Sequence, residues 1–387
     1  MNESANSLYA GVVVEAPLAH IFHYRVPELL AGVVRPGDRV GIPFRGRKTR
    51  GVVVSLSRAA PGIHPERIRE ISDISPPEER IPEDILSLTR WAAKYYQSGW
   101  GTVLAAAVPS GVKLGRRERA TRRLEPALSP EDDFPEPEKE IILSAEQAAA
   151  VAEISGPIAA GEFKAFLLHG ITGSGKTEVY IRLIAGALAA GRGALMLVPE
   201  ISLTPQTVSR FRRRFGNVAV LHSSLSEGER AGHWRKLCSG EVRVAVGARS
   251  AVFAPVRNLG LMLVDEEHEH TYKQDNDPRY NARDVALMRG SKANVPVILG
   301  SATPSLESWA NVRSGKYKLV TLAARPGGAA PPRVTLVDIR KEWAEVKRPV
   351  LFSRRLEMAL GECLQRREQA IFFLNRLGFH TSVRCAA

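Results

Sequence analysis

Cysteine is scarce: three residues (Cys238, Cys363, Cys385) occur in a chain of 387. The count is odd and the spacing wide, which argues against a disulfide framework and fits a reducing cytoplasm. No apolar run approaches the roughly 20 residues needed to cross a bilayer, so no membrane partner is expected. The first residues, MNESANSLYAGVVVEAP, lack a basic stretch followed by a long apolar one, so no signal peptide is expected. Acidic residues are in deficit, 41 against 54 Lys and Arg, which leaves a formal charge of +13. A surplus of that sign points to a polyanionic partner, because each cation placed on a phosphate releases counterions. A merely basic soluble surface is the plain alternative. No internal repeat is visible. An apolar fraction of 44% with 25% charged residues excludes a disordered chain, and the length calls for two or three domains.

Short strands broken by Gly and Pro occupy residues 9–15, 23–26, 39–43 and 51–57, with a turn at 35–38. This density of short strands predicts a small all-β unit, barrel-like or sandwich-like. The stretch RGRKTR (45–50) reads as a basic loop between two strands, with a solvated hairpin tip as the plain reading. Residues 81–96 have a helical period that places Ile85, Leu88, Trp91, Ala92 and Tyr95 on one face, read as packing. Then 116–123 is basic and 131–140 acidic, with Pro130, Pro135 and Pro137. Opposed charge blocks with proline and no apolar period read as a linker, and the main domain boundary falls there.

From residue 163 onward the pattern becomes α/β. Apolar runs at 165–169, 194–199, 218–222, 242–246, 261–265 and 297–300 alternate with helical stretches such as 176–190 and 226–239. That alternation predicts a parallel sheet with helices on both faces, whose ligands bind beyond the carboxyl ends of the strands.

The motifs fall at those ends. GITGSGKT (170–177) follows an apolar strand and opens a helix. Gly170, Thr172, Gly173, Ser174 and Gly175 let the backbone wrap phosphates, Lys176 holds the β- and γ-phosphates, and Thr177 ligates Mg²⁺. LMLVDEEH (261–268) delivers Asp265 to hold Mg²⁺ through water and Glu266 to orient or deprotonate the attacking water. In GSATP (300–304), Ser301 and Thr303 can couple the ATP site to a neighbouring domain. PEISLTPQ (199–206) and GARSA (247–251, with Arg249 and Ser250) suit a grip on a phosphate backbone, although such clusters are also ordinary turns.

Gln147 has two readings, recognition of the adenine edge or the capping of a helix. In HEHTYKQDNDPRYNARD (268–284), Tyr272, Lys273, Arg279, Tyr280 and Arg283 interleave aromatic and cationic side chains. They predict a stacking platform for single-stranded nucleic acid. His268 and His270 are not zinc ligands, since nothing nearby has zinc spacing. Arg210, Arg212, Arg213 and Arg214 form a basic helix face that can equally be solvated.

These residues together resemble the PriA family of superfamily 2 replication-restart DNA helicases. GITGSGKTEVYIRLI, LVPEISLTPQT, GARSAVFAP, DEEHEHTYKQ, RYNARDVA and GSATPSLES are similar to that family motif for motif. N-terminally, FHYRVP (22–27), PGDRV (36–40), Pro43, Phe44, Trp91, Tyr95 and Tyr96 resemble its 3′-end DNA-binding domain. The resemblance implies a small, mostly β DNA-binding domain (1–112), a linker (113–142) too short for the family's winged-helix domain, a RecA-like lobe (143–330), and the start of a second lobe (331–387). It implies ATP and Mg²⁺ as cofactors and 3′→5′ unwinding of forked DNA. Primosome proteins and single-stranded DNA-binding protein are the partners it implies. Phe22, His23 and Tyr24 correspond to the stretch that cradles a 3′ end; the family often has Asp where His23 stands.

A strand over 370–375 is expected to open the second lobe. Cys385 matches the first ligand of a zinc insertion, with its partner ligands and the second lobe's arginines not in this sequence. A non-catalytic fork-binding scaffold and another superfamily 2 translocase are the competing readings.

Overall fold

A computed structural model describes residues 7–15, 18, 20–59, 67–109, 141–325, 333–346 and 351–373. The expected linker, apart from Ile141 and Ile142, and Cys385 lie outside these residues. Contacts divide the chain into two compact units, Met1–Gly328 and Ala329–Ala387.

The first unit opens with an antiparallel sheet of β1 (Leu8–Val14), β2 (Ile21–Val26), β3 (Arg39–Phe44), β4 (Arg47–Ser57) and β5 (Asp73–Ile74), ordered β2-β1-β4-β3-β5. Alternation along the strands buries Ala10, Val12, Val14, Tyr24, Val40 and Ile42 in a small core. Residues 69–74 join the two open edges. Glu70 bridges Arg25 of β2, and Asp73 and Ile74 pair with Gly41 and Val40 of β3. The sheet is thereby closed in a barrel-like way, one of the two expected forms. The basic loop expected at 45–50 is a two-residue hairpin instead. Arg45 and Gly46 have φ of 47° and 76°, as a tight turn matched to strand twist requires, and 47–50 belong to β4. Lys48 and Arg50 of that strand pair with Asp73.

Two helices follow, α2 (Glu83–Tyr95) and α3 (Trp100–Ala107), after a short α1 (Glu28–Ala31) between β2 and β3. Ile85, Leu88 and Ala92 of the expected stripe are buried, whereas Tyr95 is 61% exposed and stacks on Trp91.

The second half of this unit is a seven-stranded sheet in the order β12-β6-β11-β10-β7-β9-β8, every pairing parallel. The strands are β6 (Ala165–Gly170), β7 (Gly193–Leu197), β8 (Ala219–Leu221), β9 (Val244–Gly247), β10 (Leu259–Val264), β11 (Val297–Ser301) and β12 (Tyr317–Leu322). Successive residues serve opposite faces. Leu261 and Leu263 join a core with α4 (Ala145–Ala160), α5 (Lys176–Ala189) and α6 (Pro205–Phe215). Met262 and Val264 join one with α7 (Glu227–Ser239) and α8 (Ala282–Ala293). Because both faces are covered, the inner strands read as unbroken apolar runs. The edge strand β12 was not anticipated. Its sequence YKLVTL buries only Val320 and Leu322, so it lacks such a run. A short α9 (Leu306–Arg313) connects β11 to β12.

The N-terminal domain packs on the α7/α8 face, where Ile85, Leu88 and Val103 share a core with Val252, Phe253 and Val285. Arg289 of α8 is 2% exposed and donates to the Val252 carbonyl at 2.7 Å and to Asp84 of α2 at 3.3 Å. Burial lowers its pKa, and Asp84 opposes that shift.

In the second unit, α10 (Ile339–Val346) and α11 (Arg354–Gln365) are joined by pairs from Arg354 to Glu342 and Glu345. The strand expected from residue 370 is not formed over 370–373, where Ile371 and Phe373 are almost fully exposed. A strand needs a neighbour for its backbone groups, and among the described residues no strand pairs with this segment. No helix of the described residues is long and apolar enough to cross a membrane.

Asp84→Ala leaves the Arg289 charge buried without its partner. Urea unfolding is expected to show a loss of about 2 kcal/mol, below the range for fully buried pairs because Asp84 is half-exposed. A change within about 0.5 kcal/mol, the scatter of surface substitutions, would contradict this account of the interface.

Candidate functional site

The phosphate loop runs from the end of β6 into α5. Gly173 and Gly175 stand at φ of 83° and 82°, values that a side chain strains. Gly175 caps α5, whose first amides have no partner within the helix. Gly170 has no room for a side chain: a Cβ there would stand 2.5 Å from Ser174 Oγ and 3.2 Å from Lys176 Cγ. Ser174 Oγ is buried with no hydrogen-bond partner. Lys176 is 9% exposed, and its Nζ donates to the Gly170 carbonyl at 2.8 Å and lies 3.7 Å from Glu266 Oε1. Thr177, on the first turn, is half-buried.

Gln147 is 3% exposed and does two jobs. Its Oε1 accepts from Ser144 N, closing a capping box on α4, and its Nε2 donates to the Ser174 carbonyl at 2.8 Å. Of the two readings, the structure shows the cap, extended to a brace on the phosphate loop.

Four consecutive residues leave the end of β10. Asp265 accepts from the Tyr180 hydroxyl of α5 at 2.9 Å; burial raises its pKa, with the Glu266 charge adding to the rise. Glu266 is at φ 44°, the left-handed region, which turns the chain and sets its carboxylate between Lys176 and His268. Glu267 is buried and accepts from Ser305 N at 2.7 Å, Ser305 Oγ at 3.1 Å and Arg283 at 3.0 Å. His268 lies 2.7 Å from Ser301 Oγ and 3.4 Å from Thr303 Oγ1. Ser301 and Thr303, expected to couple sites, thus meet the acidic motif through His268.

The residues fit a nucleoside triphosphate with Mg²⁺. The loop supplies oriented amides and an unpartnered buried hydroxyl. Asp265 is a desolvated carboxylate whose nearest counter-charges a divalent cation would reinforce.

Beside this cradle, across the ends of β7 and β9, lies a groove of about 420 Å³. Glu200, Ser223, Arg230, Arg249, Ser250 and Lys273 line it, so residues of both suspected phosphate-gripping segments meet at one groove. Arg249 donates to the carbonyls of Lys273 (3.0 Å) and Thr271 (3.4 Å). Lys273 and Arg279 are exposed, and the Lys273 ammonium lies 5.2 Å from the centre of the Tyr96 ring.

The stacking platform expected from 268–284 is corrected in three members. Tyr272 and Tyr280 are each 1% exposed. Tyr272 turns inward to donate to the Asp265 carbonyl at 2.7 Å, and Tyr280 packs edge-on against Phe253. Burial pushes the Tyr280 hydroxyl up to about 12, partly offset by the nearby Arg249 charge. Arg283 is held by Glu267, Asp284 and Ser305 Oγ, with burial lowering and those carboxylates raising its pKa. The segment's rings fill the α8 side of the core, while Arg283 is held in ion pairs, Lys273 lines the groove and Arg279 is exposed.

In the N-terminal domain, Phe22, His23 and Tyr24 line a cleft of about 340 Å³ with Phe44, Arg45 and Arg69. Phe22 meets Phe44 edge-on at 5.1 Å, and the buried Tyr24 hydroxyl donates to the Pro43 carbonyl at 3.3 Å. Burial raises the Tyr24 pKa, against the Arg69 charge.

Sequence reasoning missed Tyr180, Glu267, His268 and Ser305 as parts of the ATP-side network, and Arg230, Arg45 and Arg69 as cations of the two clefts. Glu267, His268, Tyr180 and Ser305 lie inside quoted motifs and Arg45 inside the basic stretch 45–50, whereas Arg230 and Arg69 carried no signal.

A phosphate loop and an acidic strand end on a seven-stranded parallel sheet define a helicase-type nucleotide-binding lobe, and residues 144–312 match the DEAD/DEAH box helicase family. Residues 11–109 match the 3′ DNA-binding domain of PriA. The chain belongs to the PriA family of replication restart proteins. It is 35% identical to the replication restart protein PriA of Chlamydia pneumoniae across 100% of this chain and 60% of the relative. It is 50% identical to that of Bacillus subtilis across 63% of this chain and 30% of the relative. The chain thus spans about 60% of the length of the chlamydial relative. Among solved structures, RecG bound to a three-way DNA junction is similar over 54% of this chain and 28% of its own, with 23% identity and a TM-score of 0.38.

Because Tyr280 is a core residue, Tyr280→Ala is expected to cost about 3 kcal/mol in chemical unfolding, as for other large aromatic truncations. Unchanged stability with weakened DNA binding would restore the stacking role.

Proposed function

We propose that this chain is the fork-reading and ATP-binding part of an ATP-driven 3′→5′ DNA helicase that restarts replication at abandoned forks. The observation that carries this reading is the direct connection between cradle and groove. The Tyr272 hydroxyl, on the segment lining the groove, binds the carbonyl of Asp265, whose side chain stands at the ATP side.

In this reading the backbone amides of 173–177 and Lys176 hold the β- and γ-phosphates. Thr177 and Asp265 hold Mg²⁺, which supplies neutralisation of the charge spread over the phosphate oxygens. Glu266, with the Lys176 ammonium 3.7 Å from its Oε1, orients the attacking water and accepts its proton. Arg249, Ser250, Lys273 and Arg279 track a single strand by its phosphates, which needs no base reading. The N-terminal cleft takes a strand's 3′ end, with Phe22 and Phe44 against the terminal nucleotide and Arg45 and Arg69 toward phosphate.

The corresponding division is a fork-end reader over 1–112, a linker over 113–142, the ATP-binding lobe over 143–330, and a connection into a second lobe from 331. By family resemblance that lobe supplies the arginines that complete the ATP site. We therefore expect this chain alone to bind nucleotide and forks and to turn over slowly. Primosome proteins and single-stranded DNA-binding protein, in the cytoplasm, are the partners the same resemblance suggests.

Lys176→Ala in the full-length protein is expected to lower DNA-stimulated ATP hydrolysis by about 100-fold or more, the scale for losing a charge at a transition-state oxygen. Hydrolysis at the wild-type rate would remove the phosphate loop from the mechanism.

A further inference from the structure

One buried hydroxyl on the phosphate-loop helix has no part in holding the nucleotide itself. Tyr180, one turn beyond Lys176 on α5, has no exposed surface and donates to Asp265 Oδ1 at 2.9 Å. The phenol also occupies the space above Gly300 at the end of β11. A Cβ on Gly300 would stand 1.6 Å from the Tyr180 oxygen, 2.9 Å from its Cζ and 3.4 Å from Asp265 Oδ1. The helix that begins with Lys176, the strand end that carries Asp265 and the strand that leads into Ser301 therefore meet at one oxygen atom.

Packing alone does not require that oxygen. Phenylalanine would fill the ring's volume and would relieve the closest approach to residue 300. A hydroxyl is costly to bury unless it finds a partner, and here the partner is one oxygen of a desolvated carboxylate. A hydrogen bond to one carboxylate oxygen fixes the plane in which the other is offered. Partners of this kind behind a metal-holding carboxylate govern how well it holds the metal.

We propose that Tyr180 is the positioning residue of Asp265: its hydroxyl fixes the carboxylate orientation that holds the Mg²⁺ of bound ATP, and residue 300 is glycine because that hydroxyl fills the space of a side chain. This rests on the nucleotide reading given above. Tyr180 touches neither nucleotide nor metal and acts through Asp265. Gly300→Ala reaches the same hydrogen bond from the opposite side, by pushing the phenol off Asp265.

The test uses the full-length protein and a fluorescent ATP analogue, titrated once in Mg²⁺ and once in EDTA. For Tyr180→Phe, affinity in EDTA is expected to stay within about twofold of wild type, while the gain in affinity conferred by Mg²⁺ falls about tenfold, the lower end for losing such a partner. Gly300→Ala is expected to show the same Mg²⁺-specific loss, which keeps the proposal testable if either variant folds poorly. In thermal unfolding, Gly300→Ala should lower the Tm less in the Tyr180→Phe background than alone, since the two sites share one contact. An unchanged Mg²⁺-dependent gain overturns the proposal, and so does an equal loss in Mg²⁺ and EDTA, which would make Tyr180 a packing residue. Lys176→Ala separates this from failure of the underlying reading. If that variant binds the analogue as wild type does, the nucleotide lies elsewhere, whatever Tyr180 does.

Discussion

The carboxyl end of β10 carries four polar side chains in succession, and each meets its own partner on a neighbouring element. Asp265 is bound to α5 through Tyr180, and Glu266 lies toward Lys176 of the phosphate loop. Glu267 is bound to Ser305 and to Arg283 of α8, and His268 reaches Ser301 and Thr303 after β11. Such a sequence of charged groups is affordable at a buried strand end only if each finds its own partner. The left-handed turn at Glu266 makes that possible, because it sends neighbouring side chains in different directions. The rest of the lobe supplies those partners at the right depth.

This arrangement explains why the two clefts are not independent. Tyr272 hangs from the Asp265 carbonyl, and the carbonyls on either side of it are held by Arg249 across the groove. The strand end and the groove are therefore joined by three hydrogen bonds and a buried ring. The N-terminal domain joins the same system from behind. Tyr96 accepts from the amide of Asn281 at 3.2 Å, at the residue that caps α8, while Asp84 holds Arg289 at the helix's other end. The N-terminal domain is thus seated on the helix that also carries Arg283, the partner of Glu267.

Much of this was legible in the sequence, for reasons that can be named. GITGSGKT was readable because its glycines answer a backbone demand that little else makes. The inner strands were readable because burial on both faces leaves no polar alternation, whereas β12, covered unevenly at the sheet edge, was not. That 199–206 and 247–251 lie at strand ends was readable, because each directly follows an apolar run. What failed was direction. In 268–284 the residue types suit a nucleic-acid surface, but a 3-10 turn followed by an irregular loop has no period from which to tell in from out. Tyr272 and Tyr280 turn inward, and only the structure reveals it. Gln147 was ambiguous for the opposite reason, since a cap and a ligand contact ask for the same residue at the same place. Tyr180 lies inside the motif GITGSGKTEVYIRLI, but its role was not legible, because an aromatic on the buried side of a helix is ordinary, and the glycine that it requires is 120 positions away in a motif already explained by its hydroxyls.

The central claim is that nucleotide bound in the cradle is felt in the groove through the end of β10. Amide hydrogen exchange of the full-length protein with and without Mg²⁺ and a non-hydrolysable ATP analogue tests it most directly. The account predicts added protection in the phosphate loop and also in 265–273 and 300–305, with the 22–27 strand unchanged. Protection confined to the phosphate loop, with 265–273 exchanging as before, would contradict it.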